Sequence, residues 1–183
     1  AASPILQVKD FTMHYQTRQG TVKAVDGISF ELARGEVLGL VGESGCGKTS
    51  IAVTLMKLLP DNALIVKGQV LLDGQDLMTM DDTTLRKYRW RRISMIFQAA
   101  MNSLDPVHRV GDQIIEAIEA HDMFTTMKEA RETVDRLFRL VGLDPGLTDR
   151  YPHEFSGGMR QRAVIAMALA CQPDVIVADE PTT

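Results

Sequence analysis

The stretch that decides the fold is Gly42-Glu43-Ser44-Gly45-Cys46-Gly47-Lys48-Thr49, which follows an apolar run and precedes a helix-forming segment. Its spacing matches G-x-x-x-x-G-K-[ST], a loop whose backbone N–H groups cradle phosphates. The run Val37 to Val41 predicts a short buried strand, and Lys48 to Leu59 predicts a helix that Pro60 ends. Because this pattern binds phosphates when it joins a strand to a helix, a purely structural glycine turn is the weaker interpretation.

Two side chains of this loop carry distinct chemistry. The Lys48 ammonium supplies a positive charge for the β and γ phosphates of a nucleotide, and the Thr49 hydroxyl can ligate Mg²⁺. The helix that begins near Lys48 directs the positive end of its dipole at the same place. We therefore expect a nucleotide site whose phosphate-binding residues are Gly42, Glu43, Ser44, Gly45, Cys46, Gly47, Lys48, Thr49 and Ser50.

A second apolar run, Val175 to Ala178, ends at the two carboxylates Asp179 and Glu180. Acidic residues at the end of a strand are often only solvated, but in a chain with a phosphate loop they predict a Walker B element. Asp179 is then expected to hold Mg²⁺, and Glu180 to orient and deprotonate the attacking water.

Composition and charge exclude several classes of protein. Hydrophobic residues make up 45% and charged residues 24% of the 183 residues, as in an ordinary globular domain. The net charge of −4 provides no general attraction for nucleic acid or for an anionic membrane surface. The longest apolar run, Ala163 to Cys171, is nine residues and too short to span a bilayer. The start, Ala1 to Pro4, lacks the features of a secretory signal, so we expect the cytosol as the compartment.

Segments of strand and helix character alternate along the chain, which predicts an α/β domain on a largely parallel sheet. Leu6 to Tyr15 and Val22 to Leu32 predict an antiparallel hairpin ahead of that sheet. In the middle of the chain, apolar residues recur at the helical period, and Thr126 with Glu129 predicts a capping box. Further predicted elements are strands at Val66 to Leu72 and Ile93 to Phe97, a short helix from Asp81 or Asp82 to Trp90, and a helix beginning near Ser156. We expect an α/β core with its antiparallel part at 1–97 and 171–183, and a helical subdomain at 98–170.

The segment Phe155-Ser156-Gly157-Gly158-Met159-Arg160-Gln161 resembles LSGGQ, the signature motif of the ATP-binding cassette (ABC) ATPases. Ser156 can cap the following helix while the two glycines leave backbone N–H groups open, which makes a second anion site. Together with the phosphate loop and the acidic pair, this segment makes the whole chain similar to the ABC family. The resemblance implies that two such domains pair head to tail, each contacting the ATP held by the other through Ser156, Gly157, Gly158 and Gln161.

The same resemblance implies roles for two more residues. Gln98 looks like the Q-loop glutamine of the family, which contacts Mg²⁺ and the attacking water. Tyr15 looks like the aromatic residue that stacks on adenine, with an exposed hairpin tyrosine as the alternative. ATP and Mg²⁺ are the implied cofactors, with Lys48, Gln98 and Glu180 as catalytic residues and Thr49, Gln98 and Asp179 as metal ligands.

Two segments, Met95 to Pro106 and Tyr151 to Thr183, look closest to the oligopeptide, dipeptide and nickel importer branch of the family. Ala99-Ala100 departs from that branch, whose members usually have an acidic or asparagine residue followed by proline there. The resemblance implies an ATP-hydrolysing subunit on the cytoplasmic face of the cell membrane that energises uptake of peptides or similar small solutes. Its implied partners are permease subunits, a second ABC subunit and, indirectly, a solute-binding protein. The resemblance implies no nucleic acid partner.

In the family, a D-loop and a switch histidine follow the position of Glu180. This chain stops at Thr183, before the D-loop, and none of its four histidines can be the switch histidine, because all of them precede Glu180. We therefore expect a C-terminally truncated P-loop NTPase fold whose sheet has an edge left without its neighbouring strand. Two alternatives stay open. One is an ABC ATPase fragment that binds ATP without turnover. The other is an ABC ATPase without transport, a class that usually carries coiled-coil insertions or basic patches, which are not found in this sequence.

Overall fold

The computed structural model describes residues 3–98 and 103–180, and within them the chain divides into a unit that ends at Arg86 and a unit that begins at Lys87. The departure at Ala99-Ala100 lies outside the described residues. No helix in the described parts of the chain is long and apolar enough to cross a membrane.

The first unit is built on a four-stranded antiparallel sheet with the order β2-β1-β3-β4. Its strands are β1 (Leu6–Thr17), β2 (Gly20–Leu32), β3 (Ala63–Leu72) and β4 (Gln75–Asp76). The predicted hairpin is confirmed, and it extends two residues further at each side of the turn, where the Thr17 hydroxyl donates to the Gly20 carbonyl at 2.7 Å. Strand β1 lies between β2 and β3 and contributes Leu6, Val8, Phe11 and Met13 to the core of this unit.

The prediction of a strand at Val37 to Val41 is wrong. These residues take no strand conformation, and the side chains of Val37 and Val41 are 94% and 97% exposed. Their composition suits a buried strand, but a strand forms only where neighbouring strands bond its N–H and C=O groups. The four strands of the first unit bond to one another, and no strand among the described residues pairs with this segment.

Helix α1 (Lys48–Leu55) begins at the predicted residue and ends four residues before the predicted end. Lys57 adopts the left-handed conformation, and its N–H donates to the Thr54 carbonyl at 2.8 Å. The Leu58 N–H donates to the Val53 carbonyl at 2.9 Å, so the helix ends in a Schellman motif before the proline is reached.

The second unit contains a parallel pair of strands, β5 (Ile93–Ile96) and β6 (Val175–Ala178). Among residues 3–98 and 103–180, the expected parallel sheet consists of this pair alone. Helix α2 (Asp82–Tyr88) spans the boundary between the units and is capped by Asp81, which accepts the Thr84 N–H at 2.7 Å. Strand β6 has its predicted bounds, whereas β5 ends one residue before the predicted Phe97 and α2 ends two residues before the predicted Trp90.

Three longer helices supply most of the core of the second unit: α3 (Val110–Glu119), α4 (Met127–Leu140) and α5 (Gly157–Leu169). The capping box of α4 is confirmed, and hydrogen bonds from Thr125 and Thr126 hold the pKa of Glu129 below its ordinary value. Cys171 follows α5 in this core, and burial raises the pKa of its thiol to about 11.

Candidate nucleotide site

The phosphate loop depends on backbone conformations that only glycine adopts without strain. Gly45 and Gly47 have positive φ angles of 78° and 96°. A Cβ atom on Gly47 would lie 2.3 Å from the carbonyl oxygen of Ala24 on β2, so the loop packs directly against the hairpin. Gly47 is also the N-cap of α1 and has no side chain to cap it, which leaves the first-turn N–H groups without a side-chain partner. A helix start of this kind fits an anionic ligand.

The Lys48 side chain folds back over the loop that precedes it. Its ammonium donates to the carbonyls of Gly42 at 2.8 Å and Glu43 at 2.7 Å, and it lies 3.8 Å from the Cys46 sulfur. These contacts hold a positive charge against the loop, and loops with this sequence pattern bind phosphate groups through their backbone N–H groups.

Tyr15 and Ser50 are brought together by the packing of the hairpin on α1. The Tyr15 hydroxyl donates to the Ser50 hydroxyl at 3.2 Å. The Thr54 hydroxyl donates to the Ser50 carbonyl at 2.7 Å, which fixes Ser50 from the other side. The aromatic residue predicted to contact the base is therefore tied to the helix that follows the phosphate loop.

In the second unit, the parallel register places two more predicted residues side by side. Ile96 pairs with Ala178 at the end of the strands, and the Asp179 N–H donates to the Ile96 carbonyl at 2.9 Å. Gln98 and Glu180 each follow two residues later at the same edge, where the Gln98 Nε2 donates to the Glu180 Oε2 at 2.7 Å.

The remaining predicted residue of this edge is Asp179, which follows β6 and is 7% exposed. Among residues 3–98 and 103–180 it has no side-chain hydrogen bond or ion pair. Mg²⁺ takes oxygen ligands, and within this unit the carboxylate of Asp179 and the amide of Gln98 provide oxygen.

The signature segment forms the N-terminus of α5. The Ser156 hydroxyl accepts the Met159 N–H at 3.3 Å, as predicted, while Phe155 is buried and its carbonyl accepts from Arg160 at 3.0 Å. A Cβ atom on Gly158 would meet nothing within 4 Å, so the packing described here does not require a glycine at that position. Gln161 lies one turn further along α5 and is half-buried.

Sequence reasoning missed the segment that supports the start of α3. The Val110 N–H donates to the Arg150 carbonyl at 2.9 Å and the Gly111 N–H to the Thr148 carbonyl at 2.8 Å. A Cβ atom on Gly111 would lie 2.7 Å from the Thr148 oxygen, so this close approach requires glycine. The glycine within a helical sequence pattern was therefore the one sign in the sequence that another segment packs against the start of α3. Beside this contact lies a cavity of about 360 Å³ whose polar lining includes Asp112, Arg131, Asp135, Thr148 and Asp149.

Arg109, just before α3, connects the same region to the segment that precedes the signature. A hydrogen bond with Tyr151 raises the pKa of the Arg109 guanidinium, and the nearby Asp149 carboxylate, 3.4 Å away, acts in the same direction. Arg131 of α4 lies 3.7 Å from the same carboxylate. These charged side chains hold residues 149–151 against two helices.

The chain is similar in sequence to known proteins. The model of the ABC transporter family matches residues 25–183. The chain is 46% identical over its whole length to a Sinorhizobium fredii protein named "Probable peptide ABC transporter ATP-binding protein", of which it covers 55%. It is 47% identical over 98% of its length to the dipeptide transport ATP-binding protein of Bacillus subtilis, of which it covers 54%. The chain thus spans about half the length of these relatives.

Solved structures agree on the fold. A dimeric post-hydrolysis state of the ATP-binding cassette MJ0796, bound to ADP and Pi, matches with a TM-score of 0.83 at 26% identity. The match covers 97% of this chain and 74% of that one. A second dimeric structure of the same cassette matches with a TM-score of 0.84. The α/β fold expected from the sequence is confirmed.

Proposed function

This chain belongs to the ABC transporter family, and from that membership we propose that it is the ATP-binding and ATP-hydrolysing subunit of an importer for peptides or similar small solutes. The observation that carries the proposal is the 46% identity, over the whole chain, to a protein named for peptide transport. The phosphate loop and the Gln98–Glu180 edge support the ATP-hydrolysing part of the proposal, because they provide groups of the kind that ATP hydrolysis requires.

In this proposal, the phosphate loop binds the phosphates of ATP and Tyr15 stacks on its adenine. The Lys48 ammonium exchanges its hydrogen bonds to the loop carbonyls for hydrogen bonds to phosphate oxygens. This exchange is favourable because a hydrogen bond between two charged groups is stronger than one to a neutral carbonyl. Thr49, Gln98 and Asp179 are the proposed ligands of Mg²⁺, which supplies positive charge against the charge that develops on the transferred phosphoryl group. Glu180 accepts the proton of the attacking water.

The signature segment is proposed to contact a nucleotide held by a second ABC subunit. The open space around Gly158 supports this role, because the packing of this chain does not explain the glycine. The related cassette MJ0796 is dimeric in its solved structures, which supports pairing of this kind. Permease subunits, and through them a solute-binding protein, are the further proposed partners, with the chain on the cytoplasmic face of the membrane. The proposed subdivision is a core at 1–97 and 171–183 and a helical subdomain at 98–170.

The test measures ATP affinity by calorimetry and phosphate release in the steady state, on the same preparation. Lys48→Ala is expected to abolish ATP binding, because the ammonium is the fixed charge of the loop. Glu180→Gln is expected to leave ATP bound and to remove nearly all turnover. Lys128→Ala, on the exposed face of α4, is the matched control and should change neither quantity.

Unchanged ATP affinity in Lys48→Ala would refute the nucleotide site, and normal turnover in Glu180→Gln would remove Glu180 from the role of base. ATP binding without phosphate release in the unmodified chain would favour the fragment that binds ATP without turnover. Co-purification with permease subunits distinguishes a transporter subunit from an ABC ATPase without transport.

A further inference from the structure

The segment that precedes the signature is held at the start of α3 by its own backbone. The Gly111 N–H donates to the Thr148 carbonyl at 2.8 Å, and the Val110 N–H donates to the Arg150 carbonyl at 2.9 Å. The first N–H groups of a helix have no partner within that helix, and no side chain caps α3. The two carbonyls therefore act as its cap and tie the segment to it at two positions.

Asp149 lies between these two carbonyls and is contacted by charged side chains from two helices. Its carboxylate lies 3.4 Å from the guanidinium of Arg109, the N-cap residue of α3, and 3.7 Å from that of Arg131 on α4. Arg109 also forms a hydrogen bond with Tyr151. An isolated exposed ion pair contributes little, but here two pairs share one carboxylate on a backbone that hydrogen bonds already hold. The carboxylate thus joins α3, α4 and the segment before the signature.

From Tyr151 onward, a series of hydrogen bonds leads to the start of α5. The Tyr151 N–H donates to the Glu154 Oε2 at 2.8 Å, and the Glu154 N–H donates back to the Tyr151 carbonyl at 3.0 Å. Arg150 donates to the other Glu154 oxygen at 2.7 Å. Phe155 is buried, and its carbonyl accepts from Arg160 in the first turn of α5 at 3.0 Å. The contacts of Asp149 are therefore connected to the signature through neighbouring hydrogen bonds.

The orientation of the α5 start depends in part on contacts that lie outside the signature itself. Ser156 caps the Met159 N–H, which is a bond within the helix end and does not attach that end to its surroundings. The attachment comes from the buried face of α5 and from the segment that precedes Ser156. A displacement of about 1 Å in a group that positions a reactant can cost about a hundredfold in rate. Small movements of this segment would therefore matter for a signature that meets a nucleotide.

We propose that Asp149 is a positioning residue for the signature segment: the two arginines that it contacts fix the start of α5, and so place Ser156 and Gly158 to meet a nucleotide held by a second ABC subunit. This inference rests on the proposed function, in which the signature contacts that nucleotide. Asp149 is not among the residues proposed to touch ATP or Mg²⁺, so its role is to position and not to catalyse.

The first test needs no ATP. The backbone amides of Gly157 and Gly158 are observed by ¹⁵N NMR in the 183-residue chain, and Asp149→Ala is expected to shift both resonances. Glu132→Ala is the matched control, because Glu132 is also an exposed carboxylate that contacts one cation, Lys128, and it should leave both resonances in place. Unchanged glycine resonances in Asp149→Ala would overturn the proposal.

The second test separates ATP binding from association. Asp149→Ala is expected to weaken ATP-dependent association, measured by sedimentation, by about fivefold to twentyfold, since each of two exposed ion pairs contributes up to about fivefold. ATP affinity, measured by calorimetry below the concentration of association, should change by less than about twofold, because the phosphate loop belongs to the first unit. Association as strong as that of the unmodified chain, or an equal loss in Glu132→Ala, would overturn the positioning role.

A double-mutant cycle tests whether Asp149 acts through Arg109. Arg109→Ala should also weaken association, and the combined variant should lose less than the product of the two single fold-changes, because both remove one contact. Independent losses would overturn this pathway from Asp149 to the signature.

Urea unfolding distinguishes positioning from a loss of stability. Asp149→Ala and Glu132→Ala should unfold at the same urea concentration, since both side chains are exposed. A lower midpoint in Asp149→Ala would overturn the proposal by assigning the effect to stability. Failure of the unmodified chain to associate in ATP would overturn the proposed role of the signature instead. That outcome is distinct, because the glycine resonances report the effect of Asp149 on the α5 start without any association.

Discussion

The helices α1 and α5 both begin at a proposed phosphate-binding segment, yet their N-termini are built in opposite ways. Helix α1 starts from a left-handed glycine, Gly47, which provides no side-chain cap and is crowded by the Ala24 carbonyl. Helix α5 starts from Ser156, whose hydroxyl caps the Met159 N–H, and its Gly158 has open space around it. The start of α1 depends on packing within its own unit. The start of α5 is an ordinary capped helix N-terminus, and the packing around it does not explain its glycine.

This difference indicates what each segment is for. A loop that holds its own ligand needs a fixed shape, and the contact between Gly47 and β2 fixes it. A segment that meets a ligand held by a second subunit needs open backbone on its outer side, which Gly158 provides. Substitutions at the two helix starts separate the effects of backbone strain, packing and capping.

The largest effect is expected for Gly47→Ala. A methyl group there would meet the Ala24 oxygen at 2.3 Å, and the left-handed φ adds strain of about 1–3 kcal/mol. We expect ATP affinity, measured by calorimetry, to fall by about a hundredfold or more because the loop must move. Gly35→Ala is the matched control, since Gly35 has a similar φ of 75° but nothing within 4 Å of the added carbon.

Gly35→Ala should therefore lose stability through strain alone and keep its ATP affinity. Equal ATP affinities in Gly47→Ala and Gly35→Ala would contradict the view that contact with the hairpin shapes the phosphate loop.

Local sequence patterns predict the parts of both segments that depend on neighbouring residues. The turn between β1 and β2, the capping box at Thr126 and the cap at Ser156 lie where they are predicted, because their hydrogen bonds join residues a few positions apart. The strand at Val37 to Val41 fails for the opposite reason. Whether an apolar run becomes a strand depends on distant partners, and composition carries no information about them.

The candidate site divides in the same way. The loop glycines and the two acidic residues are recognisable from their spacing, whereas the hydrogen bond between Gln98 and Glu180 follows from a register that the sequence does not state. The support of α3 by Thr148 is likewise non-local, and a glycine at position 111 was its one signal in the sequence.

Gly111→Ala tests a third kind of helix start, in which backbone carbonyls accept the first N–H groups. The added carbon would lie 2.7 Å from the Thr148 oxygen and would separate α3 from that segment. We expect a loss of about 1–3 kcal/mol in the free energy of unfolding, because overpacking outweighs the better helix propensity of alanine. Urea unfolding followed by Trp90 fluorescence measures it, and a variant as stable as the original chain would refute the close contact.

A smaller loss is expected for Ser156→Ala, which removes the cap of α5. Thr126→Ala removes the equivalent cap of α4, and each hydroxyl accepts its backbone N–H at 3.3 Å. Both variants should therefore lose about 1 kcal/mol of unfolding free energy. If Ser156 also contacts a nucleotide of a second subunit, Ser156→Ala alone should weaken ATP-dependent association, measured by sedimentation. Equal association of the two variants would leave Ser156 with the capping role only.

The smallest effect on stability is expected for Gly158→Ala. This variant therefore tests most directly whether the starts of α1 and α5 serve different roles. Nothing lies within 4 Å of the added carbon, and alanine is the better helix former by about 1 kcal/mol in a helix interior. The urea unfolding curve should therefore stay in place or move to higher urea. The same methyl group would stand on the surface that is proposed to approach a nucleotide of a second subunit, so ATP-dependent association should be lost. A variant that is both stable and fully associated would show that the open space around Gly158 serves no partner, and the contrast between α1 and α5 would then reflect local helix capping only.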